Sequence, residues 1–270
     1  MRLAWLTDIH LNFLDAPAVR QFLLSVKEQA DAVAISGDIA ESPEIAGYLR
    51  TIDELVQKPV YFVLGNHDFY RGSIAKTRQR VVETVKFARH LHYLTTLGVV
   101  ELTTKTAILG HDGWADSRLG DYWKSDVLLN DHQCIEELAV WWRGGQIDKQ
   151  GLRPVFTALA DEAARHLESV LQEAVARYPH VIAVTHVPPF RAAARHQGRV
   201  SDAYWLPYFA SKIAGDVMQK IMRSHPESDL LVLCGHTHGS GDLKVLGNLR
   251  VLTGEADYGE PKILGPLEVE

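Results

Sequence analysis

The chain has 270 residues, 46% of them apolar and 23% charged, which argues against disorder as its dominant state and leaves room for one large buried core. Its net charge of −6, from 28 Lys and Arg against 34 Asp and Glu, argues against a broad nucleic-acid-binding face. No apolar stretch approaches the roughly 20 residues that span a bilayer, and the start MRLAWLTDIHLN lacks the features of a signal peptide, so we expect a cytoplasmic protein.

The first predicted strand is the run RLAWLT at 2–7, followed at once by Asp8 and His10. Val19, Phe22, Leu23 and Val26 then recur with helical period before a second run, AVAIS at 32–36, which ends on Gly37-Asp38. Ile45, Leu49, Ile52 and Val56 form the next helical face, and VYFVL at 60–64 leads into Gly65-Asn66-His67-Asp68. Val81, Val82, Val85 and Ala88 predict a third helix, and TAILG at 106–110 a fourth strand, followed by His111, Asp112 and Trp114. These last three either face the same rim or form a turn with a packed tryptophan.

From Trp114 to about Pro154 the alternation stops. The segment holds Trp114, Trp123, Trp141 and Trp142 with Gly144-Gly145 and no clear strand, and reads as an insertion or cap, or as a helical excursion packed on the core. A long helix is expected over about 155–178, then a strand VIAVT at 181–185 that runs into His186. Arg191, Arg195 and Arg199 follow; they suit bidentate phosphate contact or simply form a solvated basic surface. A helix is expected over about 207–224, a strand LLVLC at 230–234 before Gly235-His236-Thr237-His238, and a last strand LRVLT at 249–253. Near-continuous apolarity marks all these runs as central strands covered on both faces, and periodicity gives an α/β fold with a mixed sheet. We expect one domain over 1–270.

Taken singly, each polar fragment has a bland reading. Asn-His-Asp and Ser-Gly-Asp are turn chemistry, and His-x-His can be two loop histidines. Together, each directly following an apolar strand, they bring imidazoles, carboxylates and an amide to strand ends that converge in space, where α/β sheets place their sites. Such a set suits first-row divalent ions, and it offers more potential ligands than one four-coordinate ion takes from protein, so two metals are expected. Cys134 and Cys234 fit neither a disulfide framework nor a CxxC metal site and are expected to be buried small hydrophobes.

The order Asp-x-His, Gly-Asp, Gly-Asn-His-Asp, single His and Gly-His-x-His resembles the calcineurin-like metallophosphoesterases, over residues 8 to 238. Thr7 and Thr185 depart from the pattern, standing where a glycine is common. The resemblance implies a four-layer αββα sandwich with mixed sheets. It also implies that Asp8, His10 and His238 hold one metal, that Asn66, His186 and His236 hold the other, and that Asp38 bridges both. The ions would be divalent or mixed-valence, of the Mn, Fe or Zn kind, and a water or hydroxide they share would attack the phosphorus of an ester substrate. His67 is then left as general acid or transition-state donor, with Asp68 orienting its ring. Monoester and diester hydrolysis stay open. So do two rivals: a non-catalytic scaffold with this fold, and a hydrolase acting on a different bond.

Overall fold

The computed structural model describes residues 1–270. Each of the seven apolar runs becomes a strand, and each lies in the interior of a sheet, which is why neither of its faces reads as polar. In the first sheet, β1 (Arg2–Leu6), β2 (Ala32–Ser36), β3 (Val60–Val63) and β4 (Leu91–Tyr93) run parallel. Parallel neighbours need a crossover, and α1 (Ala16–Gln29), α2 (Ile45–Val56) and α3 (Ile74–Val85) supply the three.

The second sheet is built from β5 (Val100–Glu101), β6 (Thr106–His111), β7 (His180–Thr185), β8 (Asp229–Cys234), β9 (Gly241–Leu246) and β10 (Leu249–Thr253), in the order β9-β10-β8-β7-β6-β5. β6, β7, β8 and β10 are parallel, and β5 and β9 are antiparallel edges. A last strand, β11 (Pro266–Glu268), pairs antiparallel with β1 and closes the first sheet's other edge. Between β6 and β7 runs the 27-residue helix α4 (Lys149–Val175), and between β7 and β8 lies α5 (Lys212–Ser224).

Alternation along the strands sorts their side chains into layers. Leu3 and Trp5 of β1, with Ala34 of β2 and Val63 of β3, meet Ile108, Ile182 and Leu233 of the second sheet in the core between the sheets. Ala4, Leu6, Val33, Ile35 and Phe62 point the other way, onto Leu23, Leu49, Ile52 and Val81 of α1–α3. On the far side Val181, Ala183 and Val232 pack on Leu167 and Leu171 of α4 and Met218 and Ile221 of α5. Two helix layers therefore enclose two mixed sheets, the expected αββα sandwich.

Some boundaries differ from expectation. α4 begins at Lys149, with Asp148 accepting a bond from the Gly151 amide, so Pro154 lies inside the helix and the irregular segment ends near residue 148. That segment holds two one-turn helices (Asp131–Cys134 and Glu136–Ala139) and a small hairpin, and buries Trp114, Tyr122, Ile135 and Leu138 in the core under α1–α3. The helix expected over 207–224 is broken by extended backbone at Ala210, leaving Leu206–Phe209 separate from α5. The edge strands escaped the sequence reading because they are short or alternately exposed and so carry no apolar run. No helix is long and apolar enough to cross a membrane.

Candidate metal centre

Five of the seven residues expected as ligands sit in left-handed backbone: Asp8 (φ 48°), His10 (φ 38°), Asp38 (φ 54°), His236 (φ 69°) and His238 (φ 54°). Outside glycine this region is sparsely used, and its concentration at strand ends marks a site whose geometry overrides local preference. Two glycines make the crowding possible. A Cβ on Gly65 would stand 2.1 Å from Asp38 Oδ1, and one on Gly235 would stand 2.1 Å from Asp8 Oδ2.

The side chains gather in two adjoining groups. The ligand atoms of Asp8, His10, Asp38 and His238 all lie within 4.8 Å of one another. In the second group Asn66 Oδ1 is 2.9 Å from His186 Nε2 and 2.9 Å from His236 Nδ1, and those two nitrogens are 3.2 Å apart. Asp38 stands between the groups, with Oδ2 at 3.9 Å from His10 Nε2 and Oδ1 at 3.5 Å from His186 Nε2. Thr7, one of the two departures from the motif, donates its hydroxyl to Asp8 Oδ2 at 2.6 Å and so helps to fix that carboxylate.

Hydrogen bonds on the outer side decide which atoms face inward. The His186 Nδ1–H donates to the Ser36 carbonyl at 2.8 Å and the His236 Nε2–H to the Tyr208 carbonyl at 3.0 Å, which leaves a lone pair on His186 Nε2 and on His236 Nδ1. The Asn66 amide nitrogen donates to Asp131 Oδ1 at 2.9 Å, so its carbonyl oxygen also points inward. Three lone pairs thus meet at about hydrogen-bond distance with no proton among them, a repulsive arrangement that a cation relieves. His10 tells the same story: it is buried, and neither ring nitrogen has a hydrogen-bond partner. The donor set fits first-row divalent ions.

Electrostatics keep two of these imidazoles unprotonated, whereas at His238 burial is outweighed by the adjoining Asp8, which raises its pKa. Burial, with His67 adding to it, holds the His10 pKa down to about 3, and burial with His186 beside it holds His236 down to about 4. Both rings are therefore neutral at pH 7, as ligation requires. Burial works against the charge on Asp8, but His238 and the other nearby histidines outweigh it and hold its pKa below the usual carboxylate range. Asp38 is pushed the other way, by burial and then by Asp8. Two carboxylates this close are stable as a pair of anions only when positive charge lies between them.

His67 lies at the rim, half-buried. Its ring stacks on Tyr70 with centroids 4.2 Å apart and meets His10 edge-on at 4.7 Å, while its backbone amide donates to Asp38 Oδ1 at 2.9 Å. The expectation that Asp68 orients this ring is corrected. Asp68 is buried beneath the loop, where Oδ1 accepts from the Ile39 and Ala40 amides and Oδ2 from the Gly65 amide, each at 2.8 Å. It ties the loop after β2 to the loop after β3, and Tyr70 is what backs the His67 ring.

Asp131 was not singled out in the sequence. It sits in the irregular segment after β6, and its Oδ1 accepts from Tyr70 Oη at 2.5 Å as well as from Asn66. A separation of 65 residues and the absence of any motif around it hid the contact. Tyr258, also missed, lies with its ring centroid 4.6 Å from that of His10 and 5.1 Å from that of His238.

The weaker candidates divide. Trp114 is buried against Phe69 and Phe156, the packed-turn alternative. Asp112 is a buried hub that accepts from Arg78, Tyr93, Thr95 and the Leu64 amide, and the buried His111 faces His166. Arg191 is solvated, Arg195 donates to the Gly198 carbonyl, and Arg199 alone of the three lines the cleft beside the centre.

Residues 1–240 match the profile of the calcineurin-like phosphoesterases. The chain belongs to that family. It is a metal-dependent phosphoesterase, and the Asp and His cluster described above is of the kind with which this family holds a dimetal centre. Among solved structures the fold is similar to phosphopantetheinyl hydrolase from Mycobacterium tuberculosis, at 15% identity and TM-score 0.62 over 94% of this chain and 89% of that one. It is also similar to a dimetal phosphatase from Danio rerio, at 15% identity and TM-score 0.58 over 94% and 87% of the two chains. GAP50, the anchor in the inner membrane complex of Plasmodium, is similar at 13% identity and TM-score 0.50 over 99% of this chain and 77% of that one. No curated protein matches the chain. At these identities the likenesses bear on fold, and the ligand set carries the chemistry.

Proposed function

We propose that the protein hydrolyses a phosphate ester at a centre of two transition-metal ions of the Mn, Fe or Zn kind, held by Asp8, His10, Asp38, Asn66, His186, His236 and His238. The observation that carries this reading is the meeting of three unprotonated ligand atoms from Asn66, His186 and His236, flanked by the four-residue cluster that shares Asp38. When bound, the ions supply Lewis acidity toward the phosphoryl oxygens and lower the pKa of a water for in-line attack.

The chain's own residues do the rest. Neutral histidines and Asn66 leave the positive charge of the ions uncancelled except by Asp8 and Asp38, so an anionic ester is attracted although the protein as a whole is acidic. Burial holds the His67 pKa down to about 4, so at pH 7 its imidazole offers a neutral N–H. Of the two roles expected for His67, this supports the donor that hydrogen-bonds the phosphoryl group or leaving oxygen over the full proton donor. Asp131 and Tyr70 act as positioning residues for Asn66 and His67.

A scaffold would have no need of His67 beside a complete ligand set, and no observation favours that rival. We read residues 1–270 as one domain, supported by the core shared between the two sheets. The two free cysteines support a reducing, cytoplasmic setting.

The test is hydrolysis of a chromogenic phosphate monoester and its matching diester by metal-stripped protein reloaded with Mn, Zn or Fe, with His67→Ala alongside. The reloaded protein should hydrolyse at least one ester, and His67→Ala should keep its metal while losing about 10²–10³-fold in turnover, the range for removing one hydrogen-bond donor to developing charge. Inactivity of the reloaded protein on both esters would overturn the reading, and full turnover by His67→Ala would remove the role given to that residue.

A further inference from the structure

Beside the centre lies a cleft of about 630 Å³ whose floor includes Asp38, His67, His236 and His238. Polar groups make up most of its lining, but exposed apolar side chains gather among them. Of the ten large hydrophobic side chains exposed on the chain, four (Leu128, Val200, Trp205 and Tyr258) line this one cleft. An apolar concentration of this kind marks a binding surface rather than ordinary scatter.

Two of the four are aromatic, and both are anchored to the histidines of the centre. Tyr258 packs on His10, on His238 and, at 5.0 Å, on Phe13, while 51% of it stays exposed. Trp205 lies 5.2 Å from Phe209, which meets His236 edge-on at 5.2 Å, and 40% of Trp205 stays exposed. The segment that carries Tyr258 has no regular structure, and the Leu264 amide near its end donates to the Trp5 carbonyl of β1. Ring surfaces are thus held next to the place where a phosphate would bind.

Charge narrows the occupant further. Arg199 is the only arginine or lysine on the cleft lining, and Asp131 and Asp202 share that lining with it. There is no surplus of fixed cations to neutralise a second phosphate or a polyanionic chain.

Resting on the phosphoesterase reading, we propose that the substrate carries a single phosphate joined to a flat, uncharged apolar group, an aryl or heterocyclic ring system, that seats against Tyr258 and Trp205. The metal centre takes the phosphate and the aromatic walls choose the ester.

Calorimetric titration of Mn-loaded protein with phosphonates, which cannot be hydrolysed, separates the choices. Phenylphosphonate should bind about tenfold more tightly than methylphosphonate and several-fold more tightly than n-butylphosphonate, as a face-to-ring contact predicts. 2-Carboxyethylphosphonate, with its second negative charge, should bind no better than the methyl compound. Trp205→Ala and Tyr258→Leu should each cut the phenyl-over-methyl ratio to about two- or threefold, and Tyr258→Phe, which keeps the ring, should preserve it. Equal affinity for the phenyl, butyl and methyl compounds would overturn the aromatic subsite, and tighter binding of the carboxyethyl compound would overturn the single-charge restriction. Failure of every phosphonate to bind would instead count against the phosphoesterase reading beneath both.

Discussion

Asn66 can present its carbonyl oxygen to a metal only while its amide nitrogen is held elsewhere, and Asp131 and Tyr70 hold it. Removing Asp131 frees the amide to rotate and leaves Tyr70 without its acceptor. Asp131→Ala should therefore weaken metal affinity by about 10–100-fold, the range for losing a residue that orients a ligand. Competition with a fluorescent chelator measures it, and unchanged affinity would deny Asp131 the positioning role. Protonation bears on the same atoms. Because burial places the His10 and His236 pKa values at about 3 and about 4, below their ordinary 6.5, protons compete for these nitrogens only in that lower range. The neutral, ligating form is complete above the ordinary value and is lost as pH falls through about 4. Dialysis followed by elemental analysis should find metal retained at pH 5.5 and released near pH 4; release already complete by pH 6 would contradict the burial argument. At this scale the ligands themselves were legible, since each follows an apolar strand in a fixed spacing. Their supports were not. The Ser36 and Tyr208 carbonyls belong to the backbone, and Asp131 comes from a segment without a motif.

The loops after β2 and β3 carry Asp38, Asn66 and His67, and what joins them is the buried Asp68. Three backbone N–H groups converge on its carboxylate, and burial pushes its pKa up to about 7 despite them. Asp68→Ala would strand all three donors away from water. We expect a loss of about 3–5 kcal/mol in stability, read by urea unfolding of the metal-loaded chain. A change below about 1 kcal/mol would show that the loops hold together without it. The sequence places Asp68 at the site by spacing alone, and nothing in the spacing says whether a carboxylate beside a histidine faces the ring or the backbone. Elements with a strong period were legible for the same reason that they are buried: the seven interior strands and the faces of α1–α3 are apolar because both sheets and both helix layers cover them. The edges β4, β5, β9 and β11 and the break at Ala210 carry no such signal, since partial exposure lets their composition vary.

Across the whole molecule, two mixed sheets packed face to face bring the carboxyl ends of the parallel strands β1, β2, β3, β7 and β8 to one place, so residues 8 to 238 of the chain meet in a volume a few ångströms wide. A net charge of −6 would repel phosphate from such a protein at large, and only a centre richer in positive charge than its ligands are in negative charge reverses that locally. Two ions are therefore needed, since one divalent ion would only balance Asp8 and Asp38. The direct measurement is turnover of a chromogenic phosphate ester by metal-stripped protein as Mn is added back, with bound metal per chain determined by elemental analysis at each point. Turnover should be absent without metal and should rise to a plateau at two bound ions per chain. Full turnover with a single bound ion, or turnover indifferent to metal, would rule out the two-ion centre.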